Sequence, residues 1–293
     1  MMVRRVTPSQ LRSMVRQAEQ KQRQAISNYN REVRNYNNKV RQAVSTYNRE
    51  ASAHNSRVRA NRQRLERELS KLRSQTHSST RYVTYTRSVS TLQRSFADVE
   101  SAATEGAWSD SRNFLDLAEG EAANSVATLN ALLAPSTDDE DQEPELRVTS
   151  LTNELASIDP ELQDRWNGAL FALSPQNPDA ARHFRTSARE ILASILDREA
   201  PDSAVKQANP EYVQTPNGGV SRRAKIKFFL ARTGNDVAAL AQFVEDDIDS
   251  VISLFTDFNA ATHGGAGRFD LPQLQVIKTR VEHAIQFLHR LVR

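Results

Sequence analysis

The 293-residue sequence contains no cysteine. That excludes disulfides, zinc–thiolate sites and a thiol nucleophile, and nothing in the chain demands an oxidising compartment. Glycine is scarce, at nine residues, which argues against a loop-rich or all-β fold. Aromatic content is 6% and hydrophobic content 38%, both low for a chain built around one large core. Elongated helices that bury a single stripe suit such a composition. No apolar run approaches the ~20 residues that span a bilayer, and the N-terminus enters polar sequence without an apolar signal core. A cytoplasmic protein with no membrane partner is the expectation.

Charge is present, and it is unevenly placed. Residues 1–75 carry 18 Lys/Arg against 5 Asp/Glu, whereas residues 146–293 are nearly balanced, at 17 against 18. Residues 135–145 hold six acids and no base. A polyanion would be drawn to the first quarter of the chain.

That quarter reads as one helix. Thr7 caps, Pro8 suits the first helical position, and Gln10 stands where a capping-box side chain reaches back. From there to about Arg73 neither Pro nor Gly interrupts, a length on the order of 100 Å at 1.5 Å per residue. Tyr29-Asn30-Arg31-Glu32-Val33 returns eighteen residues later as Tyr47-Asn48-Arg49-Glu50-Ala51. Eighteen residues make five helical turns, so the repeat keeps one face. That face runs Ile26, Tyr29, Val33, Tyr36, Val40, Val44, Tyr47 and onward to Leu65, Leu69 and Leu72, in the steps of three and four of a coiled-coil seam. Tyr and Arg together could also stack on bases and pair with phosphates. Two shorter helices follow. One is marked by Tyr82, Tyr85, Val89, Leu92, Phe96 and Val99, the other by Leu115, Ala118, Ala122, Leu129 and Leu132. Both should fold back on the leucine-bearing end of the first.

The expected architecture is all-α: a basic coiled-coil stalk with two return helices over 1–134, an acidic disordered linker at 135–145, and a compact helical domain over 146–293. Within that domain, helices are expected near 145–157, 160–173, 178–199, 221–233, 236–261 and 271–292. Asp159-Pro160 and Asn177-Pro178 each place a capping residue before Pro at a helix start.

Four features could carry chemistry. Arg182, Arg185 and Arg189 form an arginine stripe at helical spacing, with His183 and Glu190 beside it, able to grip phosphate. Arg222, Arg223 and Lys225 open a helix, where cations oppose the macrodipole unless an anion sits there. Glu245, Asp246, Asp247 and Asp249 cluster on one helix, with Glu245 and Asp249 on one face as a metal-dependent nuclease would use, though an ordinary solvated acidic face explains them as well. His263, in a glycine-rich loop with Arg268, could act as a general acid or base with Arg268 as anion partner. No Walker loop, dinucleotide fingerprint, zinc-protease helix or nucleophile elbow is present, and the Arg–His motif of HEPN ribonucleases is missing. The sequence names no cofactor and no metal-binding set.

The stretch Asp164-Arg165-Trp166-Asn167-Gly168-Ala169-Leu170, then Asn177-Pro178-Asp179-Ala180-Ala181-Arg182-His183 and Ser187-Ala188-Arg189-Glu190, resembles the predicted pPIWI-associating nuclease domain. Ala200-Pro201-Asp202, Ser221-Arg222-Arg223-Ala224-Lys225 and Thr262-His263-Gly264 follow in the same order. The resemblance covers roughly 150–293 and leaves the stalk unmatched. It implies a nuclease of bacterial defence, with Arg182, His183, Arg189, Glu190 and His263 as the matching polar positions. Two readings therefore stand. One is a defence-associated nucleic-acid-binding protein, a nuclease by resemblance, whose stalk oligomerises or captures the polyanion. The other is a non-enzymatic coiled-coil adaptor that docks partner proteins. Under either, a homo-oligomer is expected.

Overall fold

The computed structural model describes residues 6–74, 83–105, 111–134, 146–151, 153–174, 177, 179–234, 237–260 and 271–292. The expected linker at 135–145 lies outside them. Among the described residues the chain forms ten α-helices and one isolated β-bridge, Gln214 to Val220, so the fold is all-α. None of these helices is long and apolar enough to cross a membrane.

The contacts divide the chain into two units, 1–57 and 58–293. Helix α1, Pro8–Ser74, supplies the first unit and continues into the second. Its start is the capping box read from the sequence: Gln10 N–H donates to Thr7 Oγ1 at 3.3 Å, and Thr7 N–H donates to Gln10 Oε1 at 3.0 Å. Every side chain from Val6 to Glu50 is exposed. That includes the repeat face, where Tyr29, Tyr36 and Tyr47 are 67%, 68% and 63% accessible.

The second unit begins at Val58. Here α1 meets α3 (Ser111–Leu133) through polar contacts as well as leucines. Asn61 Nδ2 donates to Asp116 Oδ1 at 2.5 Å, Arg62 Nε to Glu119 Oε1 at 3.0 Å, and Asn130 Nδ2 to Glu68 Oε2 at 2.8 Å. Leu65 is buried beside them, and Leu69 and Leu72 pack on the same core. The return helices, α3 and α2 (Val83–Thr104), thus close on the leucine-bearing end of α1 as its pattern predicts.

They do more than that. The core of α2 and α3 is continuous with that of α9 (Ala238–Ala260) and α10 (Leu271–Val292). Phe96 of α2 meets Phe243 of α9 edge-on at 6.2 Å, and Phe243 meets Phe287 of α10 at 5.8 Å. The packing therefore redraws the expected division into 1–134 and 146–293. Helices α2 and α3 present apolar faces too broad for one leucine stripe, and α9 and α10 cover the remainder.

The other helices complete the unit: α4 (Glu154–Ile158), α5 (Pro160–Ala172), α6 (Ala180–Glu199), α7 (Asp202–Ala208) and α8 (Arg222–Arg232). Asp159 caps α5 by accepting from Glu161 N–H at 2.7 Å, with Pro160 at the first position as expected. For α6 the expectation needs correction. Asp179, not Asn177, is the N-cap, and Asn177 makes an Asx turn by accepting from Asp179 N–H at 3.0 Å. The helix expected at 145–157 is only α4, because the residues before it are used otherwise. Thr149 Oγ1 donates to Glu282 at 2.7 Å and accepts from Trp166 Nε1 at 2.9 Å and Leu151 N–H at 3.1 Å. One donor and two acceptor lone pairs are thereby all used, which ties this non-helical segment to α5 and α10.

Candidate functional site

The arginine stripe flanks the core face of α6, with Arg182 and Arg189 exposed and Arg185 half-buried. Phe184, Ala188, Ile191, Leu192, Ile195 and Leu196 form the buried face beside it, with Phe184 against Trp166 at 5.6 Å between centroids. That amphipathic register fixes where the polar residues go. Arg182 is 77% accessible and reaches Asp179 at 3.6 Å; His183 reaches the same carboxylate at 3.5 Å. Glu190 accepts from Arg165 of α5 at 3.0 Å. Arg185 and Arg189 have no ion-pair partner among the described residues. His183 and Glu190, two turns apart, stand about 10 Å from each other along the axis. They do not form one acid–base pair, and each has its own partner.

The cations of α8 are placed differently. Ser221 caps the helix, its hydroxyl accepting from Ala224 N–H at 3.1 Å. Arg222 pairs with Asp249 and Arg223 with Glu245 at 3.2 Å. Lys225 bridges Asp197 at 2.6 Å and Asp202 at 2.5 Å. Burial lowers its proton affinity, but the two carboxylates more than offset this and hold it above the usual lysine range. The anion expected at this helix start is supplied by the protein's own carboxylates. The same pairs occupy Glu245 and Asp249, the acidic face weighed for metal. Sequence spacing showed each set separately; only the packing of α8 on α9 brings them together.

The structure also assembles a polar cluster that the sequence reading missed. Arg280 of α10 is wholly buried between Glu121 of α3 and Asp247 of α9, paired with both. Tyr85 of α2 and the hydroxyl pair Ser125–Ser250 at 3.2 Å lie in the same interior. Burial raises the Tyr85 phenol, and burial first, then Glu121, pushes Asp247 up to about 8. His283, one turn beyond Arg280, is lowered by burial. A signal existed. Asp247 stands three residues after Val244, and Arg280 three after Ile277, so both occupy core register within stripes otherwise apolar. Opposite charges at core positions of two helices mark a buried pair.

A further contact joins Ser157 of α4 to His289 of α10, Oγ to Nε2 at 3.0 Å. His263 and Arg268, the remaining expected site residues, lie outside the described residues.

Residues 155–288 match the predicted pPIWI-associating nuclease family. This is the C-terminal half in which the sequence resemblance was seen. Searches of curated proteins and of solved structures give no match. The nuclease-family segment contains the α6 stripe, the α8 pairs, Asp247 and Arg280. It does not contain Glu121, Tyr85 or Ser125, so the buried cluster is completed by helices from outside that segment.

Proposed function

We propose that this protein binds nucleic acid and acts as a nuclease in bacterial defence, in the cytoplasm, with α1 supplying electrostatic capture and self-association. The match of residues 155–288 to a predicted nuclease family carries the reading. Charge supports it. Between Arg12 and Arg49, α1 holds nine Lys/Arg against two Asp/Glu, and none of the nine has an ion-pair partner among the described residues. Unpaired cations on an exposed helix release counterions from a bound polyanion, which is the sequence-independent part of nucleic-acid affinity. Arg185 and Arg189 extend the same chemistry to α6, and the proposal counts Arg182 and Arg268 among the anion-binding residues. His183, Glu190 and His263 remain the proposed catalytic side chains. Arg222, Arg223 and Lys225 drop to a structural role, because binding phosphate there would require breaking pairs already made.

The exposed seam supports the rival reading, an adaptor. Ile26, Tyr29, Val33, Tyr36, Val40, Val44 and Tyr47 form an uncovered stripe at coiled-coil spacing, suited to a second copy of the chain. Self-association and nucleic-acid capture are compatible; an adaptor alone predicts no hydrolysis and no salt-sensitive affinity. A gel-shift series across salt, with and without divalent metal, separates them. Retardation that weakens with salt, plus cleavage with metal, supports the nuclease. A defined oligomer with neither property supports the adaptor.

A further inference from the structure

A cleft of about 320 Å³ lies between α7, α8 and the turn that joins them. Its space comes from three small side chains, Ala208, Ala224 and Ala231, with Tyr212 and Phe228 as aromatic sides and Lys227 on the lining. Both rings are partly buried against Ala200, Val205 and Val220, so they are held rather than free. The wall carrying Tyr212 is braced at both ends. Asn209 Oδ1 accepts from Glu211 N–H at 3.0 Å, and Ser221 N–H donates to the Val213 carbonyl at 3.1 Å. Beyond it the hairpin closes with Thr215 N–H donating to Gly219 O at 2.8 Å, and Gly218 takes φ 77°, a conformation glycine adopts without steric cost.

Lys225 and Lys227 differ in a way that bears on this cleft. Lys225 is engaged by two carboxylates, whereas Lys227 has no ion-pair partner among the described residues. A preformed slot with aromatic sides takes a planar ring by stacking, and an ammonium beside it takes an anionic group of the same molecule. Asn209 and Glu211, also on the lining, offer polar atoms for ring N–H groups. The volume stands at the lower end of ligand pockets, enough for one such unit and not for two. A planar, hydrogen-bonding base joined through a sugar to a phosphate, as in a nucleotide, meets both requirements. We propose that this cleft binds a single nucleotide, its base against Tyr212 and Phe228 and its phosphate on Lys227. The proposal rests on the nucleic-acid reading above for its biological setting, and its test is kept separate.

The test is calorimetric titration of the full-length protein with each of the four ribonucleoside 5′-monophosphates, beside a gel shift with a single-stranded oligonucleotide. Saturable one-to-one binding of at least one monophosphate is expected, weakened about tenfold by Tyr212→Ala or Lys227→Ala and retained by Tyr212→Phe. Because Tyr212 packs on the small cluster, Ala208→Phe serves as a second variant; it fills the cleft from an exposed helix position and should abolish binding. No binding of any monophosphate, or binding unchanged in Lys227→Ala and Ala208→Phe, overturns the proposal. So does equal binding of uncharged indole, which would mark an apolar slot. Mononucleotide failure with oligonucleotide retardation intact sinks the cleft alone. Oligonucleotide failure with mononucleotide binding intact sinks the nucleic-acid role and leaves the cleft standing.

Discussion

Arg280 of α10 and Asp247 of α9 meet in the core with almost no solvent access, and Glu121 of α3 holds the same guanidinium. One cation cannot neutralise two carboxylates in a medium of low polarity. Burial, and then Glu121, pushes Asp247 up to about 8 despite the pull of Arg280. Asp247 therefore keeps its proton to higher pH than an exposed aspartate, beside the guanidinium that Glu121 also holds.

The sign of the pH dependence follows. Between about pH 4 and pH 8 the folded chain holds a proton on Asp247 that the unfolded chain has released. Stability is fullest below that window and falls as pH rises through it, by at most about 1.4 kcal/mol per unit from this group. Asp247→Asn keeps the shape and removes the titration. Urea midpoints from pH 5 to 8.5 should fall less steeply in the variant than in the parent; identical slopes would show that Asp247 does not hold the proton.

Glu121 lies outside the segment that the family matches, and so do the apolar faces of α2 and α3 that cover α9 and α10. A chain starting at 146 would leave Arg280 with Asp247 alone and expose Phe243. It should show helical far-ultraviolet signal without a cooperative urea transition, whereas a chain starting at 58 should unfold cooperatively. A sharp transition in the shorter chain would contradict the shared core.

Much of this fold was legible in the sequence. The Thr7–Gln10 box, the uninterrupted run to Arg73, the Asp159-Pro160 start and the stripes of α2, α9 and α10 are local signals, and local physics decides them. The shared core was not legible, because an acidic, Pro-flanked segment at 135–145 reads as a boundary whatever the flanking helices touch. The short helix α7 was missed, since seven residues carry too few apolar positions for a periodicity. For the site, the spacing of Arg182, Arg185 and Arg189 put them on one stripe beside the core face of α6, where Arg182 and Arg189 are exposed and Arg185 is half-buried. The α8 cations were misjudged because their partners Asp197, Asp202, Glu245 and Asp249 stand on other elements, at spacings no sequence window contains.

Thr149 gives a sharp stability test. Its hydroxyl serves Glu282, Trp166 and Leu151 at once. Thr149→Val keeps the volume and removes all three bonds, leaving buried polar groups unpaired at a cost of roughly 2 kcal/mol or more. Urea denaturation reads this directly; a loss under about 0.5 kcal/mol, the range of an ordinary surface change, would mean that the hydroxyl is dispensable.

Paired and unpaired arginines should separate in binding. Arg222→Ala removes a cation already matched by Asp249 and should leave oligonucleotide affinity within about twofold. Arg185→Ala with Arg189→Ala removes two unmatched cations and should weaken it by about tenfold or more at low salt. Equal effects from both sets would remove the distinction between structural and binding cations.

The central claim is that the unpaired cations of α1 meet a polyanion. It is tested most directly by the slope of log affinity against log salt for a single-stranded oligonucleotide, in the parent and in a variant with Arg23, Arg31, Arg34 and Arg41 all changed to Gln, which preserves the helix. The account predicts a steep negative slope in the parent, made shallower by about 0.7 for each phosphate contact removed. Identical slopes, or no salt-dependent binding in the parent, would contradict it.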